Sequence, residues 1–463
     1  MKIVTTAFPF VPAVLGIHHF ASTYLPADVY CRALRLMGEA AILVNATDFH
    51  SIYATNNGKQ DLKTCQSCHN SYIDAYKAFN IKFDHIITTD EQKHIETVHE
   101  AIKAIDKHGL LYRKNSSVIR CEQCSSYLPS LFIEKNNDKQ ICKLCGSNKL
   151  IELSSEHVWL KVSACGDLIK KYQKKYTQAE IVNEMDQFSN ELKDWDFTRD
   201  SQFGIHYDDR LTIYLWFESL IGYYTLVPDI YKNNFEFVHF FGKNIVYYHG
   251  IIWPILLDCL SSGKAQISNL SVRGFMSSQS EIEWNIEKLF ARWSVDAIRY
   301  YTIYKVRDSI NDFTLKESEI EEIITQNLIR HSVHLTNRVR GLIISKNLQT
   351  FTYDESFVLE MEDKYLNKIC GCYREARINA ALKLISSYSS FANKLLTQAI
   401  KSKDFNIGNL VYLVVTMTLL LSPIIPKAAN EMLLFKWEDE LRMSDVKKIL
   451  SSELKKDSYS FMM

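Results

Sequence analysis

The first fifty residues constrain the fold more than any other segment. Residues 2–8 form an apolar, β-branched run that stops at Pro9, Tyr24 to Met37 has the pattern of a helix, and Ala40 to Asn45 is a second short apolar run. Strand, helix and strand in that order predict an α/β fold with a doubly wound sheet. Ligands of such a sheet sit outside the carboxyl ends of the strands. The segments Phe8 to His19 and Asn45 to His50 are therefore expected to face one crevice.

The rest of the chain divides by pattern. From about Ser116 to Leu150 paired cysteines and polar turn residues mark a small inserted module, after which strands and helices resume through Trp216 and Trp253. Beyond about Ile320 the periodicity is helical almost throughout, which predicts a bundle. Leu410 to Ile425 is strongly apolar but shorter than the roughly 20 residues needed to span a bilayer, and it contains Thr416, Thr418, Ser422 and Pro423. It reads as a buried bundle helix rather than a membrane segment. At 463 residues and 47% apolar, the chain has room for two or three domains.

Charge excludes little but supports little. Lys+Arg and Asp+Glu both total 54, so no global excess of positive charge attracts a polyanion. Met1 to Ala7 lacks the basic and long apolar regions of a signal peptide, so the expected setting is cytoplasmic. Eleven cysteines in such a setting suggest thiols and metal ligands rather than disulfides.

Cys121-Glu122-Gln123-Cys124 and Cys142-Lys143-Leu144-Cys145 are two C-x-x-C hairpins, each able to turn two thiolates toward one point. Four thiolates complete a tetrahedral shell around Zn²⁺ and leave no open position, so a zinc held by Cys121, Cys124, Cys142 and Cys145 is expected to be structural. Cys65 and Cys68 share the spacing and are followed by His69, but Cys65 to Phe79 reads as one amphipathic helix with no second cysteine pair nearby. Packing is the expected role there.

Thr6-Ala7-Phe8-Pro9-Phe10 and Tyr24-Leu25-Pro26-Ala27-Asp28-Val29-Tyr30 begin a series of ordered blocks. It continues through Ala46-Thr47-Asp48-Phe49-His50, the cysteine module, Ser155 to Trp159, Asp194 to Asp200, Tyr214 to Glu218 and Val238 to Val246. Together they resemble the methionyl-tRNA synthetase family of class I enzymes. The resemblance implies a Rossmann-type catalytic domain over 1–115 and 153–264, interrupted by a zinc-bearing connective module at 116–152. It further implies a stem-contact segment over 265–325 and an anticodon-type all-α bundle over 326–463.

Carried over by position, the resemblance makes Asp48 the partner of a substrate ammonium, with the Phe8 carbonyl adding a hydrogen bond. Trp216, Ser219, Leu220, Tyr223, Ile245 and His249 line the side-chain slot, and Phe10 stands at its edge. Ser219 occupies a position where Ala is common, Leu220 one where Pro is common, and Phe10 replaces a Tyr hydroxyl. A buried hydroxyl lost from such a slot removes a hydrogen bond worth about 1 kcal/mol and can change which substrate is accepted. Methionine is the default expectation.

ATP with Mg²⁺ is the implied second substrate, and the signatures that should handle it are altered. Class I enzymes place His-x-Gly-His at a helix start, and here Gly16-Ile17-His18-His19 stands in register, so only the last His is kept. Their Lys-Met-Ser-Lys-Ser loop corresponds to Phe275-Met276-Ser277-Ser278-Gln279, without either lysine. The resemblance marks His19, His18 and Arg199 as catalytic candidates. It marks Gly16, His19, Gly242, Asn244, Ser277 and Ser278 as nucleotide-binding. Removing one electrostatic contact of this kind commonly costs about 3 to 4 kcal/mol in the transition state. Arg273, Lys243 and His18 are the candidate substitutes.

The bundle also departs from the family. It has no Trp between Trp293 and Trp437, so the aromatic that would stack on an anticodon base is missing. Three readings follow. One is a ligase that activates an amino acid for a small molecule or carrier instead of tRNA, as in hydrazine-forming systems where a synthetase-like unit works with a zinc-binding cupin. A cupin would here be a separate partner. The second is a housekeeping methionyl-tRNA synthetase, against which the altered signatures and doubtful tRNA capture weigh. The third is a pseudo-synthetase that binds an amino acid or adenylate as a sensor or complex subunit.

Overall fold

Five parallel strands, β1 (Lys2–Thr6), β2 (Ala41–Thr47), β3 (His85–Thr88), β4 (Glu236–Gly242) and β5 (Gln266–Arg273), form one sheet in the order β5-β4-β1-β2-β3. The computed structural model describes all residues except 52–54, 57–58, 124–126, 129–132, 137–138, 143–145, 202, 230–234, 278–285, 349–350, 402–404, 456 and 462–463. Val4 lies between Val238 and Leu43 in the central register. Ile3 and Val4 point to opposite faces, and both are fully buried because helices cover both sides of the sheet. The strand order reverses between β1 and β4, and the loops after those two strands border the switch-point crevice.

The first crossover helix begins earlier than its sequence pattern predicts. Helical turns over Ile17–His19 and Phe20–Tyr24 precede α1 (Leu25–Leu36), so the start is Ile17 rather than Tyr24. Pro26 has no N–H to donate and would stop an ordinary ladder. The chain passes it with a π-turn in which the Leu25 N–H reaches the Phe20 carbonyl, a widened register that keeps the axis continuous. α2 (Leu62–Ala78) seats Cys65 in the core, with His69 Nδ1 2.9 Å from the Thr47 hydroxyl.

Leu111–Cys121 and Leu150–Leu160 make an antiparallel ribbon, with Leu111 opposite Leu160 and Cys121 opposite Leu150. Cys121 stands at its far end. Cys121 and Cys142 are both fully buried in a small cluster of their own with Ile133 and Leu150, and Cys142 O accepts from Gly146 N at 2.8 Å. Cys124 and Cys145 lie outside the described residues, and among the described ones no metal-binding group of three or more His, Cys, Asp or Glu occurs.

Further helices cover the sheet and build the bundle: α3 (Gln92–Lys107), α4 (Leu215–Thr225), α5 (Val295–Lys305), α6 (Ile378–Lys401) and α7 (Ile407–Leu421). α7 contains most of the Leu410 to Ile425 stretch and is buried almost throughout, and no described helix is long and apolar enough to cross a membrane. One continuous buried cluster runs from Val4, Ala27, Leu34 and Phe240 through Tyr300 and Tyr301 to Leu413 and Ile424. Arg299 of α5 joins these layers from inside. Its guanidinium donates to Asp28 at 2.7 Å and to the carbonyls of Phe79, Pro423 and Ile424 at 3.0, 2.9 and 2.8 Å. All five donors of a planar guanidinium suit such a convergent set of acceptors.

Candidate active site

The loop after β2 is tied to the loop after β1 by two backbone bonds, Asp48 N to Pro9 O at 2.9 Å and Val11 N to Asp48 O at 3.1 Å. They hold the Asp48 side chain in the crevice, where it is 5% exposed. Oδ2 accepts from the Ser219 hydroxyl at 2.7 Å, while Oδ1 is buried with no partner among the described residues. Burial pushes this carboxyl well above the usual Asp range. A buried carboxylate oxygen left without a donor is a site for a cation.

Trp216, Ser219, Leu220 and Tyr223 recur at helical spacing and occupy one side of α4. Across from them His249 sits in the π-turn Tyr248–Ile252, which precedes Pro254 as the earlier π-turn precedes Pro26. His249 Nδ1 lies 3.0 Å from the Ile245 carbonyl, which can only accept, so Nδ1 carries the proton. Nε2 is then an acceptor, and the Tyr223 hydroxyl 2.8 Å away is its donor. Burial lowers the His249 pKa to about 4, so the ring stays neutral.

Trp216 stacks on Tyr248 with centroids 4.4 Å apart and planes 4° from parallel. The Phe8 ring lies 4.5 Å from Tyr223, and a Cβ on Gly222 would come within 2.7 Å of it, which is why a glycine is needed there. Phe10 stands at the rim, 45% exposed. The structure thus brings together Phe8, Asp48, Trp216, Ser219, Leu220, Tyr223, Ile245 and His249. Sequence reasoning missed Tyr248 and a layer below: Trp253 Nε1 donates to His239 Nε2 at 2.9 Å, and His239 Nδ1 then donates to the Thr5 hydroxyl. Only aromatic density after β4 signalled them.

In the segment expected to meet a nucleotide, Gly16 caps the first helical turn, and its N–H donates to His19 Nδ1 at 3.1 Å. The His19 proton is therefore on Nε2. Burial and the neighbouring His18 lower its pKa to about 4, leaving a neutral donor. The two rings are 3.9 Å apart, and a Cβ on Gly16 would meet His18 at 2.9 Å. Ser277 N donates to Phe313 O at 2.7 Å, and Phe313 N to Phe275 O at 2.9 Å, so the loop stem is pinned to 312–313. Ser278 lies outside the described residues.

The candidate substitutes separate clearly. Lys243 Nζ is 2.7 Å from Asp312 and 5.3 Å from the Phe275 ring, which rests against Gly242 with Asn244 beside it. Arg273 must be corrected: it is 2% exposed and bound by Ser271, Asp308 and the Ala376 carbonyl, so it braces β5 and is not available to a phosphate. Arg199 donates to the carbonyls of Asp196 and Thr198 and lies over the Tyr214 ring at 4.0 Å.

The family described as class I tRNA synthetases (M) matches residues 2–340. The chain belongs to this methionyl-tRNA synthetase family. Its members are ATP-dependent ligases. Among curated relatives, the methionine–tRNA ligase of Methanocella arvoryzae is 24% identical over 93% of this chain and 71% of its own length. That of Methanocaldococcus jannaschii is 25% identical over 96% of this chain and 78% of its own. A methionyl-tRNA synthetase from Mycobacterium tuberculosis bound by methionyl-adenylate shares the fold, with a TM-score of 0.79 at 18% identity and 98% of each chain covered.

Within a methionyl-type synthetase these features fall into two groups. Of the residues expected to hold an amino acid, Asp48, the aromatic Trp216 and Tyr223 and the neutral His249 lie together. Of the residues expected to meet phosphate, Phe275 stands where the family pattern has a lysine, and Lys243, 5.3 Å from the Phe275 ring, is engaged by Asp312.

Proposed function

We propose that this chain binds an amino acid, activates it with ATP, and passes it to an acceptor other than tRNA. The observation that carries the amino-acid half is the Asp48 Oδ1 atom, buried and without a donor among the described residues, beside an aromatic slot. An α-ammonium supplies both the missing donor and the missing charge. The amino-acid carboxylate would then attack the α-phosphate of ATP, forming the mixed anhydride and releasing pyrophosphate. His19 Nε2–H and the Lys243 ammonium are the donors closest to that role, with Mg²⁺ screening the phosphates when bound.

The acceptor half rests on what the chain lacks for tRNA: a net charge of zero, no stacking Trp in the bundle, and neither loop lysine. A small-molecule or carrier acceptor, with a cupin-type protein as one form of partner, fits those losses. A structural zinc on Cys121, Cys124, Cys142 and Cys145 is part of this reading, supported by the paired burial of Cys121 and Cys142. A second reading, a pseudo-synthetase that binds without activating, is favoured by the Phe275 ring against Gly242.

ATP–pyrophosphate exchange across all twenty amino acids tests both. Exchange with one amino acid, together with methionine-tRNA charging more than about tenfold below an active synthetase, a gap of about 1.4 kcal/mol, supports the ligase. Amino-acid binding without exchange supports the pseudo-synthetase. Charging at the control rate overturns the proposal and restores the tRNA ligase.

A further inference from the structure

Glu218 and His50 make none of the substrate contacts described above, yet Glu218 is buried and His50 half-buried at the site. His50 Nδ1 lies 3.0 Å from each Glu218 carboxylate oxygen, and Glu218 is wholly enclosed. Glu218 precedes Ser219 on α4, and His50 follows Asp48 by two residues. Two side-chain contacts, Ser219 to Asp48 and His50 to Glu218, therefore clamp the first turns of α4 to the loop after β2. The same loop has an independent anchor, Phe49 N to Thr89 Oγ1 at 2.9 Å.

The clamp has an electrostatic side. Two carboxylates enclosed in one low-dielectric site cannot both stay ionised unless cations accompany them. His50 meets Glu218 across two short contacts and, when protonated, its imidazolium neutralises a carboxylate that burial otherwise pushes toward its neutral form. Burial disfavours that imidazolium, but Glu218, with smaller contributions from Asp90 and Asp48, holds the His50 pKa above the ordinary value. Asp48 Oδ1 has no such partner among the described residues.

We propose that His50 and Glu218 are a positioning pair for Asp48: they fix its loop against α4 and reserve its free oxygen for the substrate ammonium. This rests on the amino-acid reading above. A buried ion pair serving only the fold would act on every ligand of the crevice alike, whereas a pair acting through Asp48 acts only on ligands that carry the ammonium.

The test compares L-methionine with its des-amino analogue, 4-(methylthio)butanoate, by calorimetry on full-length wild type, His50→Gln, Glu218→Gln and the double variant. The expected result is that each single variant loses about tenfold or more in L-methionine affinity, with the des-amino analogue bound as in wild type. The double variant should be no worse than the weaker single within about twofold, since the two residues act as one unit. Glu218→Asp keeps the charge on a shorter arm and should recover part of the loss, and it serves where a glutamine variant fails to fold. Equal weakening of both ligands, or unchanged methionine affinity, overturns the proposal. Wild type that binds the des-amino analogue as tightly as L-methionine overturns the amino-acid reading itself and this proposal with it.

Discussion

Replacing Asp48 by Asn changes one charge and almost no volume, and its effect on binding and on stability should have opposite signs. One Asp48 oxygen already accepts from Ser219 at 2.7 Å, so the ammonium is left a single charge-assisted contact at Oδ1. A hydrogen bond to a charged group is worth about 1.5 to 3 kcal/mol. That corresponds to roughly a 10- to 150-fold rise in Kd for L-methionine. The free protein should respond the other way, because burial holds the Asp48 carboxyl well above its ordinary value of 3.8. An acid whose pKa is raised on folding binds its proton more tightly in the folded state. Its contribution is therefore whole below pH 3.8 and is lost as pH climbs toward the folded value. Asn has no charge to bury, so ligand-free Asp48→Asn should equal or exceed wild type in stability at pH 7, with a shallower decline above pH 4. Titration calorimetry at pH 7 and urea unfolding across a pH series read both quantities. Affinity within about twofold of wild type, or a less stable variant with an unchanged pH slope, refutes the reasoning.

Three other outcomes are expected. Arg299→Met takes the donor from three core carbonyls and leaves Asp28 paired with Arg32, and urea unfolding should show a loss of about 3 kcal/mol; an unmoved midpoint would mean the guanidinium is not a tie between layers. Metal analysis of purified protein should return one zinc per chain, falling in Cys142→Ser, and either none or two in the wild type contradicts the four-thiolate site. Tyr223→Phe leaves buried His249 Nε2 without its partner and should cost about 1 to 3 kcal/mol in equilibrium unfolding; unchanged or higher stability would show that this hydrogen bond does not support the fold.

The sheet was legible in the sequence because its central strands are buried on both faces and so carry short apolar and β-branched stretches without alternation, as Ile3 to Thr6 and Ala41 to Val44 do. The helix start was not. Pro26 looks like a boundary one-dimensionally, and only the π-turn before it lets the helix begin at Ile17. At the site, Asp48 and the α4 face were readable from motif and spacing. The His50–Glu218 contact joins residues 168 apart, and nothing local in either segment specifies its partner. Arg273 shows the converse failure: a cation at the right place in the chain is turned inward, where Asp308 and a carbonyl hold it. Sequence carries charge and order, but not the direction in which a side chain leaves its strand.

The buried cluster that runs from β1 into α7 has a further consequence for how such a chain can change over time. The bundle forms part of the floor on which α1 and the central strands rest, and Arg299 is bolted through that floor. Deleting the bundle would strip apolar surface from the catalytic half at a cost of about 25 cal/mol for each Å² uncovered. Under the function proposed above, the bundle is kept as a foundation for the catalytic half whether or not it meets an anticodon. Gene architecture alone is accordingly a poor guide to whether a member of this family still serves translation; the crevice, and not the appended domain, is the place to ask.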